Sequence, residues 1–579
     1  MALIHQSGLS VFAYSRTSKL LNHVAPQNTW IPHKTTSTSS RFKPSSKTII
    51  PAYKSLCNDI HNIVTTEEED DVKHSTLVKQ VRTLIAKVND ERFDDLLMVD
   101  SLQRLGIDYH FVDEINTILK RRYAQFSNTD VFDYQNLYEV SLCFRILRQN
   151  GFHVSSEAFM KFKGQDHKFE EKLNDDIKGL MELYEASHLG MKGEIILDEA
   201  QIYSCQRLED SIKFLDDKQA KMVQRTLNNP YYKTVPFLNF KNYIDDFDNT
   251  ALQQLAELEF YKAQTLHQRE LNTVIRWWNE LGVVQELPLA RNQPLFMYIA
   301  PMVSLTNPNL SSQRINMAKI ASLICIIDDI FDLYGTIDEL TLLTEAVSRW
   351  DMNVIDSLPN YMKTSFKALD DVINEISNEV YEQHGLNPIN SLRKSWQTYI
   401  DAFLEEAKLI KSGRLLTTKE YLEIGIATSG VHTLLSPVFF LLGDGKTEEH
   451  VQIIENESDI ITLVSKMFRL YDDLATTEEE SLIGRGSYIK YYLNENEGCS
   501  IEDAHEHVLN LISDTWKCLN KECFSPNPFS DASIRTTNNL ARMLSYMSSY
   551  GDTGSLALLS DYLKALVVHE ASDFESLGS

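Results

Sequence analysis

Beyond Asp59 the chain is a succession of amphipathic stretches, in which apolar residues recur at helical spacing between short polar breaks. Strand-like alternation of apolar and polar residues is nearly absent. One apolar stretch, residues 144–147, leads into a Gln149-Asn150-Gly151 stop, and another, residues 179–186, ends at Leu189-Gly190. The pattern predicts an all-α protein, and the lack of a fixed repeat period argues against a helical solenoid.

The most loop-like interior segment spans residues 228–249 and contains Pro230, Pro236 and a cluster of aspartates. Long helical patterns resume at Ala251. Because 579 residues are too many for one ordinary core, we expect at least two domains. We predict an N-terminal helical domain at residues 59–240 and a C-terminal domain at residues 241–579.

The first 58 residues have a different composition from the rest of the chain. They contain no Asp or Glu and seven basic residues, and they are rich in hydroxyl side chains, as in residues 35–40. Such a segment is typical of an organelle transit peptide. We therefore predict that residues 1–58 are a transit peptide and that the protein is located in the plastid. A disordered tail is the alternative.

Composition and charge exclude several classes of protein. The net charge of −26, from 56 basic and 82 acidic residues, argues against a nucleic-acid binder. No apolar run approaches the roughly 20 residues of a membrane-spanning helix, so we expect no membrane span. Seven scattered cysteines without a CxxC pair argue against a disulfide framework or structural zinc. We expect a monomer with reduced, mostly buried thiols.

A first carboxylate cluster follows a wholly apolar run at residues 321–327, where Asp328, Asp329 and Asp332 stand in close succession. A helix that is apolar all round is buried, and carboxylates at its end are unfavourable unless a partner compensates their desolvation. Asp328 and Asp332 are one turn apart on one face, so the cluster can hold hard divalent cations such as Mg2+. The alternative is a solvated acidic helix end.

The residues after this cluster predict how the helix ends. Gly335 is a helix stop, and Thr336 with Glu339 has the spacing of a capping box for the next helix. The acidic helix end should therefore open at the mouth of a cavity.

A second cluster follows the mostly apolar residues 460–471. Asp472, Thr476 and Glu480 stand at i, i+4 and i+8 on one helical stripe. Their backbones span about 12 Å, and side chains that lean toward the N-terminus can bring them to one metal. Arg469, three residues before Asp472, places a cation that suits a phosphate beside the site. Alone, this cluster could be a solvated acidic run.

Two such clusters facing one cavity could hold several Mg2+ ions, and an anion that bridges them would be a polyphosphate. The chain has few glycines and no phosphate-cradling loop, which argues against an ordinary nucleotide site. Metal ions on a diphosphate stabilise it as a leaving group. In an apolar, aromatic pocket its departure would leave a carbocation, which aromatic faces can stabilise.

The two motifs, Asp328-Asp329-Ile330-Phe331-Asp332 and Asp472-Asp473 through Thr476 to Glu480, resemble the paired metal motifs of plant class I terpene synthases. The resemblance covers nearly all of the chain beyond the transit segment. It includes Leu102-Gln103-Arg104-Leu105-Gly106, Phe144-Arg145-Ile146-Leu147-Arg148, Arg276-Trp277-Trp278 and Thr428-Ser429-Gly430, the last resembling the break in a pocket helix. It implies a C-terminal catalytic helical bundle and an N-terminal α-barrel domain without its own chemistry.

The resemblance also implies a prenyl diphosphate substrate and three Mg2+ ions, or Mn2+ in their place. Asp328, Asp329 and Asp332 would be catalytic. The metal ligands would be Asp328, Asp329, Asp332, Asp472, Thr476 and Glu480. The substrate diphosphate would be bound by Arg291 and Arg469 and, through the metal ions, by Asp328 and Asp332.

Departures from the family pattern favour an acyclic product. Residues 59–89 contain neither a Trp nor the arginine pair of cyclising monoterpene synthases. The family's Arg-x-Arg reads Arg291-Asn292-Gln293, which resembles linalool and nerolidol synthases and should hold the leaving group more weakly. Ala300 and Ser548 stand where the family often has a pocket tryptophan and a tyrosine, which is compatible with water capture or with simple divergence.

Our hypothesis is that geranyl diphosphate is ionised and water attacks the tertiary carbon to give linalool, with nerolidol from farnesyl diphosphate. The alternatives are a cyclic or acyclic monoterpene hydrocarbon synthase, such as one forming myrcene or ocimene, and a chain-elongating prenyltransferase. A further alternative is a helical interaction protein with incidental acidic helix ends.

Overall fold

The structure is a computed structural model. It describes residues 67–88, 93–126, 136–246, 250–287, 290–291, 294–351, 355–456, 458–482 and 486–547. The predicted transit segment at residues 1–58 lies outside these ranges, and so do Gln293 and Ser548. The side chains of Thr476 and Glu480 are also outside the description, although their backbone belongs to a described helix.

The described residues form α-helices joined by turns and short 3₁₀ segments. The helices are α1 Glu67–Lys87, α2 Asp94–Arg104, α3 Val112–Phe126, α4 Leu137–Gln149, α5 Ile177–Ser187, α6 Ile195–Ser211, α7 Asp217–Asn228, α8 Pro236–Tyr243, α9 Ala251–Leu281, α10 Val283–Glu286, α11 Pro294–Met297, α12 Ile299–Ser304, α13 Ser311–Asp329, α14 Ile337–Arg349, α15 Asn360–His384, α16 Ile389–Ser412, α17 Thr418–Ala427, α18 Val431–Leu441, α19 Glu448–Glu455, α20 Asp459–Leu482, α21 Tyr488–Glu495, α22 Ile501–Phe524 and α23 Asp531–Met547. Within the described ranges the only β-type contact is an isolated bridge between Lys163 and Phe169. The all-α prediction is confirmed.

The N-terminal helices enclose arginines whose charges are paired inside the fold. Arg145 is fully buried on α4, and its Nη1 lies 2.9 Å from Oδ1 of Asp100. Arg148, also fully buried, donates from Nη2 to Glu194 Oε1 at 2.8 Å. Removing one partner of a buried ion pair costs about 3–5 kcal/mol. Arg145 and Arg148 therefore stabilise the packing of α4 against the segments that carry Asp100 and Glu194.

The C-terminal helices are arranged around α13. This helix packs against α9, α12, α15 and α18, which leaves it buried on all sides, as its apolar run predicts. The second acidic helix, α20, packs against α17, α18, α22 and α23. Because α18 contacts both α13 and α20, it brings the two acidic helices into one bundle.

The predicted domain boundary between residues 240 and 241 falls inside α8. The described part of the predicted loop, residues 228–246, is more helical than the sequence suggested, because Pro236 occupies the first position of α8, where its fixed φ favours a helix. Contacts also cross the predicted boundary. Helix α1 packs against α9, and Asn520 on α22 donates from Nδ2 to the carbonyl oxygen of Gly190 at 2.9 Å.

Among the residues that the structure describes, one helical stretch, Thr418–Leu441, is long and apolar enough to cross a membrane, contrary to the expectation from the sequence. It comprises α17 and α18, which are separated by a break at Gly430. Its most apolar window is 83% buried inside the fold. Burial and the break identify this stretch as the apolar centre of the bundle.

Candidate active site

The first acidic helix end is shaped by an unusual turn. Beyond α13 the chain forms one π-helical turn, Ile330–Tyr334, which Gly335 ends by donating its N–H to the carbonyl of Ile330 at 2.8 Å. The predicted capping box of Thr336 and Glu339 is present at the start of α14. Single π-helical turns are rare and frequently lie at functional sites.

The carboxylates of this helix end differ in exposure and partners. Asp329 is fully buried, Asp328 is nearly so, and Asp332 is half-buried. Both oxygens of Asp329 accept hydrogen bonds from Arg291, at 2.7 Å from its backbone N–H and 2.9 Å from Nε. The same guanidinium group forms an ion pair with Asp328 and donates to the carbonyl of Cys325 at 3.1 Å.

Burial and charge compete at Asp329. Burial raises the pKa of its carboxyl group to about 6, although the positive charge of Arg291 opposes the shift. Asp329 is therefore mostly ionised at neutral pH, which matches its pairing with a guanidinium group. The arrangement gives α13 an inner carboxylate, Asp329, and an outer carboxylate, Asp328.

The second acidic helix end repeats the inner and outer arrangement with different partners. Asp473 is fully buried and accepts from the hydroxyl group of Tyr421 at 2.8 Å and from the backbone N–H of Tyr488 at 2.7 Å. Burial raises the pKa of Asp473 above its usual range. Asp472 is the outer carboxylate, and Nη1 of Arg469 lies 3.3 Å from its Oδ2.

Arg469 is fixed from a second side by the segment around the helix break. Its Nε donates to the carbonyl of Gly425 and its Nη2 to the hydroxyl group of Thr428, both at 3.3 Å. A Cβ at position 425 would lie 2.9 Å from Cγ and Nε of Arg469, so glycine there allows the guanidinium group to lie against α17. The prediction that Arg469 stands beside Asp472 is confirmed.

The outer carboxylates face one cavity. The space between its walls amounts to about 340 Å³, including space open to solvent, and the charged groups on its wall are Asp328, Asp472, Arg291 and Arg469. The remaining wall is formed by Ile324, Cys325, Tyr399, Thr428, Ser429 and Phe468. The two acidic helix tips therefore line one cavity, but its wall is mixed polar and apolar and not the largely apolar chamber that the sequence predicted. Asp329 and Asp332 are not among the residues that line it.

Apart from Asp328, Asp472, Arg291 and Arg469, the side chains on the wall of this cavity are uncharged. Burial raises the pKa of the Cys325 thiol to about 12 and that of the Tyr399 hydroxyl well above its usual range. Tyr399 donates this hydroxyl to the carbonyl of Ile324 at 3.3 Å. The cavity therefore combines separate positive and negative groups with an otherwise uncharged lining.

The break predicted at Thr428-Ser429-Gly430 is present between α17 and α18. Gly430 has a φ of 72°, a backbone conformation that favours glycine, and a Cβ there would lie 2.8 Å from Cγ2 of Ile324. The break thus packs closely against α13 and exposes Thr428 and Ser429 to the cavity.

Sequence reasoning missed several contacts of the site. Tyr421 and Tyr488, which hold Asp473, belong to no sequence motif that would have marked them. Gly425, in contrast, was a signal of a close contact, because glycine inside a helix costs roughly 1 kcal/mol. Ala300 is buried in α12 and does not line the cavity. Trp278 belongs to the core.

The fold and the cavity define a class: an all-α protein whose paired acidic helix ends and guanidinium groups suit a metal-bound diphosphate. Two family models match the chain, the terpene synthase N-terminal domain over residues 52–227 and the metal-binding domain of the terpene synthase family over residues 279–518. The chain belongs to the terpene synthase family, whose members are lyases that act on prenyl diphosphates. The family and the fold predicted from the motifs are confirmed.

Individual relatives cover nearly the whole chain. An (E)-nerolidol synthase of Cannabis sativa is 43% identical over 493 residues, 82% of this chain and 89% of the relative. The chloroplastic tricyclene synthase Oc15 of Antirrhinum majus is 37% identical over 524 residues, 89% of this chain and 90% of the relative. Isoprene synthase from grey poplar, in complex with three Mg2+ ions and dimethylallyl-S-thiolodiphosphate, is similar in structure with a TM-score of 0.80 and 34% identity, covering 86% of this chain and 97% of that one.

Proposed function

We propose that this terpene synthase ionises geranyl diphosphate with bound Mg2+ and captures the allylic cation with water at its tertiary carbon, releasing linalool. Farnesyl diphosphate would give nerolidol by the same steps. One observation carries the proposal: Asp328, Asp472, Arg291 and Arg469 line the same cavity. Carboxylates that bind cations beside guanidinium groups that bind anions are what a metal-bound diphosphate requires.

The donor set of the site fits hard divalent cations. Asp328 and Asp472 offer carboxylate oxygens at the cavity, and Asp332, Thr476 and Glu480 are the further ligands that we propose. Three Mg2+ ions, the number in the isoprene synthase complex, are the expected complement, and Mn2+ accepts the same ligands. Bound there, Mg2+ supplies positive charge that stabilises the departing diphosphate.

The chain's own cations complete the diphosphate site. Arg469 is held by Gly425 and Thr428 so that its guanidinium group reaches the cavity, and Arg291 reaches it from the segment at residues 290–291, where it is paired with the end of α13. Asp329 was predicted as a metal ligand and catalytic residue. Because both of its oxygens accept hydrogen bonds from Arg291, we propose that its first role is to position that arginine.

The proposed end of the reaction is water capture without ring closure. Asn292-Gln293 after Arg291 removes one cation from the family's pattern, so the diphosphate should leave before lengthy rearrangement of the cation. The similarity to a nerolidol synthase, whose name denotes an acyclic tertiary alcohol, supports this choice.

A second candidate is a monoterpene hydrocarbon synthase, cyclic or acyclic. The observation that favours it is the 37% identity to a tricyclene synthase over most of both chains. In this case proton loss, rather than attack by water, would end the reaction, and the cavity itself would be the same.

We propose a plastid location for this chain. The acid-free, basic and hydroxyl-rich residues 1–58 support it, and so does the chloroplastic label of the tricyclene synthase relative. A plastid location in turn favours the ten-carbon substrate.

The expectation that the protein is a monomer stays a prediction.

The test is a product assay of the purified chain with ten-, fifteen- and twenty-carbon prenyl diphosphates, Mg2+ and water labelled with heavy oxygen. We expect mainly linalool from geranyl diphosphate, with the label in its hydroxyl group because the C–O bond of the substrate breaks. Cyclic or acyclic hydrocarbons would support the second candidate instead. An unlabelled primary alcohol would indicate hydrolysis at phosphorus and would contradict both. Chelation of Mg2+ should stop all turnover.

A further inference from the structure

A cluster of metal-binding side chains lies away from the catalytic cavity, where three helical elements meet. His74 comes from α1, His110 from the 3₁₀ segment Asp108–His110, and Glu259 from α9. One ligand atom from each of them lies within 4.8 Å of the other two. None of the three lines the cavity that holds Asp328 and Asp472.

The two imidazole rings converge on a single carboxylate oxygen. Nε2 of His110 lies 2.8 Å from Oε1 of Glu259, and Nε2 of His74 contacts the same oxygen. The ring centroids are 5.1 Å apart. The other oxygen of Glu259 accepts a hydrogen bond from the hydroxyl group of Tyr109. All three side chains are half-buried, with the histidines 22% and 19% exposed and the glutamate 12% exposed.

We propose that His74, His110 and Glu259 form a Zn2+ site that ties α1 to α9. Two imidazole nitrogens with one carboxylate oxygen and a water molecule are a common tetrahedral set for Zn2+. The same set is unsuited to Mg2+, which prefers oxygen ligands alone. Small side-chain movements would bring the three ligand atoms to the about 2.0–2.2 Å that Zn2+ requires.

The surroundings orient the carboxylate of Glu259. One of its oxygens contacts both histidines, and the other accepts a hydrogen bond from Tyr109. The hydroxyl group of Tyr109 holds the carboxylate in place, which is a typical outer-shell contact of metal ligands.

The elements that carry the ligands are held together without the proposed ion. Nη2 of Arg82 on α1 donates to the carbonyl of His110 at 3.0 Å, and Lys262 on α9 lies 2.7 Å from Asp71 on α1. Tyr109 and Glu259 also border a mostly apolar cleft of about 740 Å³, including space open to solvent, whose wall includes Phe237, Phe240 and Phe260. The side chains of the site are therefore largely preformed.

Zinc binding here would link segments far apart in the chain. His74 and Glu259 are separated by 185 residues, and α1 is the first helix that the structure describes. A ligand that binds only the folded state stabilises it by mass action. Zn2+ should therefore stabilise the packing of α1 on α9, whereas catalysis at the distant carboxylates depends on Mg2+.

The test uses Co2+ as a spectroscopic probe for Zn2+ in the metal-free full chain. Tetrahedral Co2+ with two histidine ligands absorbs visible light strongly, whereas Co2+ on the oxygen ligands of the catalytic site is octahedral and absorbs weakly. We expect the strong absorption in the wild type and in Asp328→Ala, and we expect added Zn2+ to displace it. Zn2+ should also raise the thermal unfolding midpoint.

His110→Gln separates metal binding from hydrogen bonding, because the glutamine amide can still donate to Glu259 but is a poor zinc ligand. We expect it to bind Co2+ and Zn2+ roughly a hundredfold more weakly or worse, and Tyr109→Phe to bind them about 10- to 100-fold more weakly. His153→Gln, at an exposed position outside the cluster, is the matched control and should behave as the wild type.

Equal Co2+ spectra in His110→Gln and the wild type would overturn the proposal. A wild-type midpoint that Zn2+ does not raise would also overturn it, and the cluster would then be a hydrogen-bonded contact between helices. Neither result bears on the proposed terpene chemistry, which the product assay tests separately.

Discussion

At the end of α13 the inner carboxylate, Asp329, is held by a cation from a distant segment, Arg291. In α20 the inner carboxylate, Asp473, is held by a tyrosine hydroxyl group and a backbone N–H, and the cation beside the site, Arg469, belongs to the same helix. Both helices nevertheless present an outer carboxylate to one cavity. Similar acidic motifs can therefore be supported in two different ways. Asp329 is held by a hydrogen-bonded ion pair, whereas Asp473 is held mainly by neutral donors, with Nη1 of Arg469 4.0 Å from its Oδ1.

This difference has consequences for stability and function. The α13 site depends on the segment at residues 290–291, because a buried carboxylate without its counter-charge is strongly unfavourable. The α20 site is largely self-contained, since Asp472 and Arg469 are neighbours on one helix. We therefore expect the outer carboxylates to be equivalent in catalysis and the inner ones to differ.

The largest expected effect concerns the outer carboxylates. Asp328→Ala and Asp472→Ala should each lower kcat/KM for the prenyl diphosphate by roughly a thousandfold or more, because metal-bound charge contributes several kcal/mol. Circular dichroism should show folded protein in both cases. Asp338→Ala, at an exposed position in the first turn of α14, is the control and should keep full activity. If only one of the two outer variants lost activity, their equivalence would be wrong.

Stability should separate the inner carboxylates. Asp329→Ala leaves Arg291 as a buried charge that has lost a partner and should reduce the free energy of unfolding by about 3–5 kcal/mol. Asp473→Ala leaves neutral donors unsatisfied, while Arg469, 4.0 Å from Asp473, keeps its nearer partner Asp472, so the loss should be about 1–3 kcal/mol. Urea denaturation without divalent cations measures both values. Equal losses would mean that the ion pair and the neutral hydrogen bonds are equivalent supports.

The pH dependence of stability sharpens the same contrast. The pKa of Asp329 rises from 3.8 to about 6, so between these values the folded state binds more protons than the unfolded state. Stability should therefore fall as the pH rises from about 4 to about 6, by at most about 3 kcal/mol. Asp329→Asn should lack this component when Mg2+ is absent. An equal pH dependence in Asp329→Asn and the wild type would show that the charge of Arg291 offsets the effect of burial on Asp329.

The smallest expected effect tests the support of Arg469. In Gly425→Ala the new Cβ would lie 2.9 Å from the arginine side chain and displace it. We expect KM for the prenyl diphosphate to rise about tenfold, or about 1.4 kcal/mol, while the fold is retained. Glu423→Ala, exposed on the same helix, is the control. An unchanged KM in Gly425→Ala would indicate that Arg469 has other room to move.

Local features of the fold and site could be predicted from the sequence. Helical geometry fixes which residues within one or two turns are neighbours. The contact of Arg469 with Asp472 and the capping box of Thr336 and Glu339 were therefore predicted, and both are present. The stop after Gln149 is likewise the end of α4.

Contacts between distant residues could not be predicted in this way. Arg291 and Asp329 are 38 residues apart, and Tyr421 and Asp473 are 52 apart, so only tertiary packing brings them together. The sequence therefore identified which carboxylates cluster but not which of them face the cavity. Pro236 was read as part of a loop because proline is ambiguous between a break and a helix start.

The ion pair between Arg291 and Asp328 makes cation and anion binding interdependent. A divalent cation that approaches Asp328 competes with the guanidinium group already bound there, and an anion that engages this group lessens the competition. By thermodynamic reciprocity, each ligand then increases the affinity of the other by the same factor. Metal ion and diphosphate should consequently load cooperatively, each binding poorly alone.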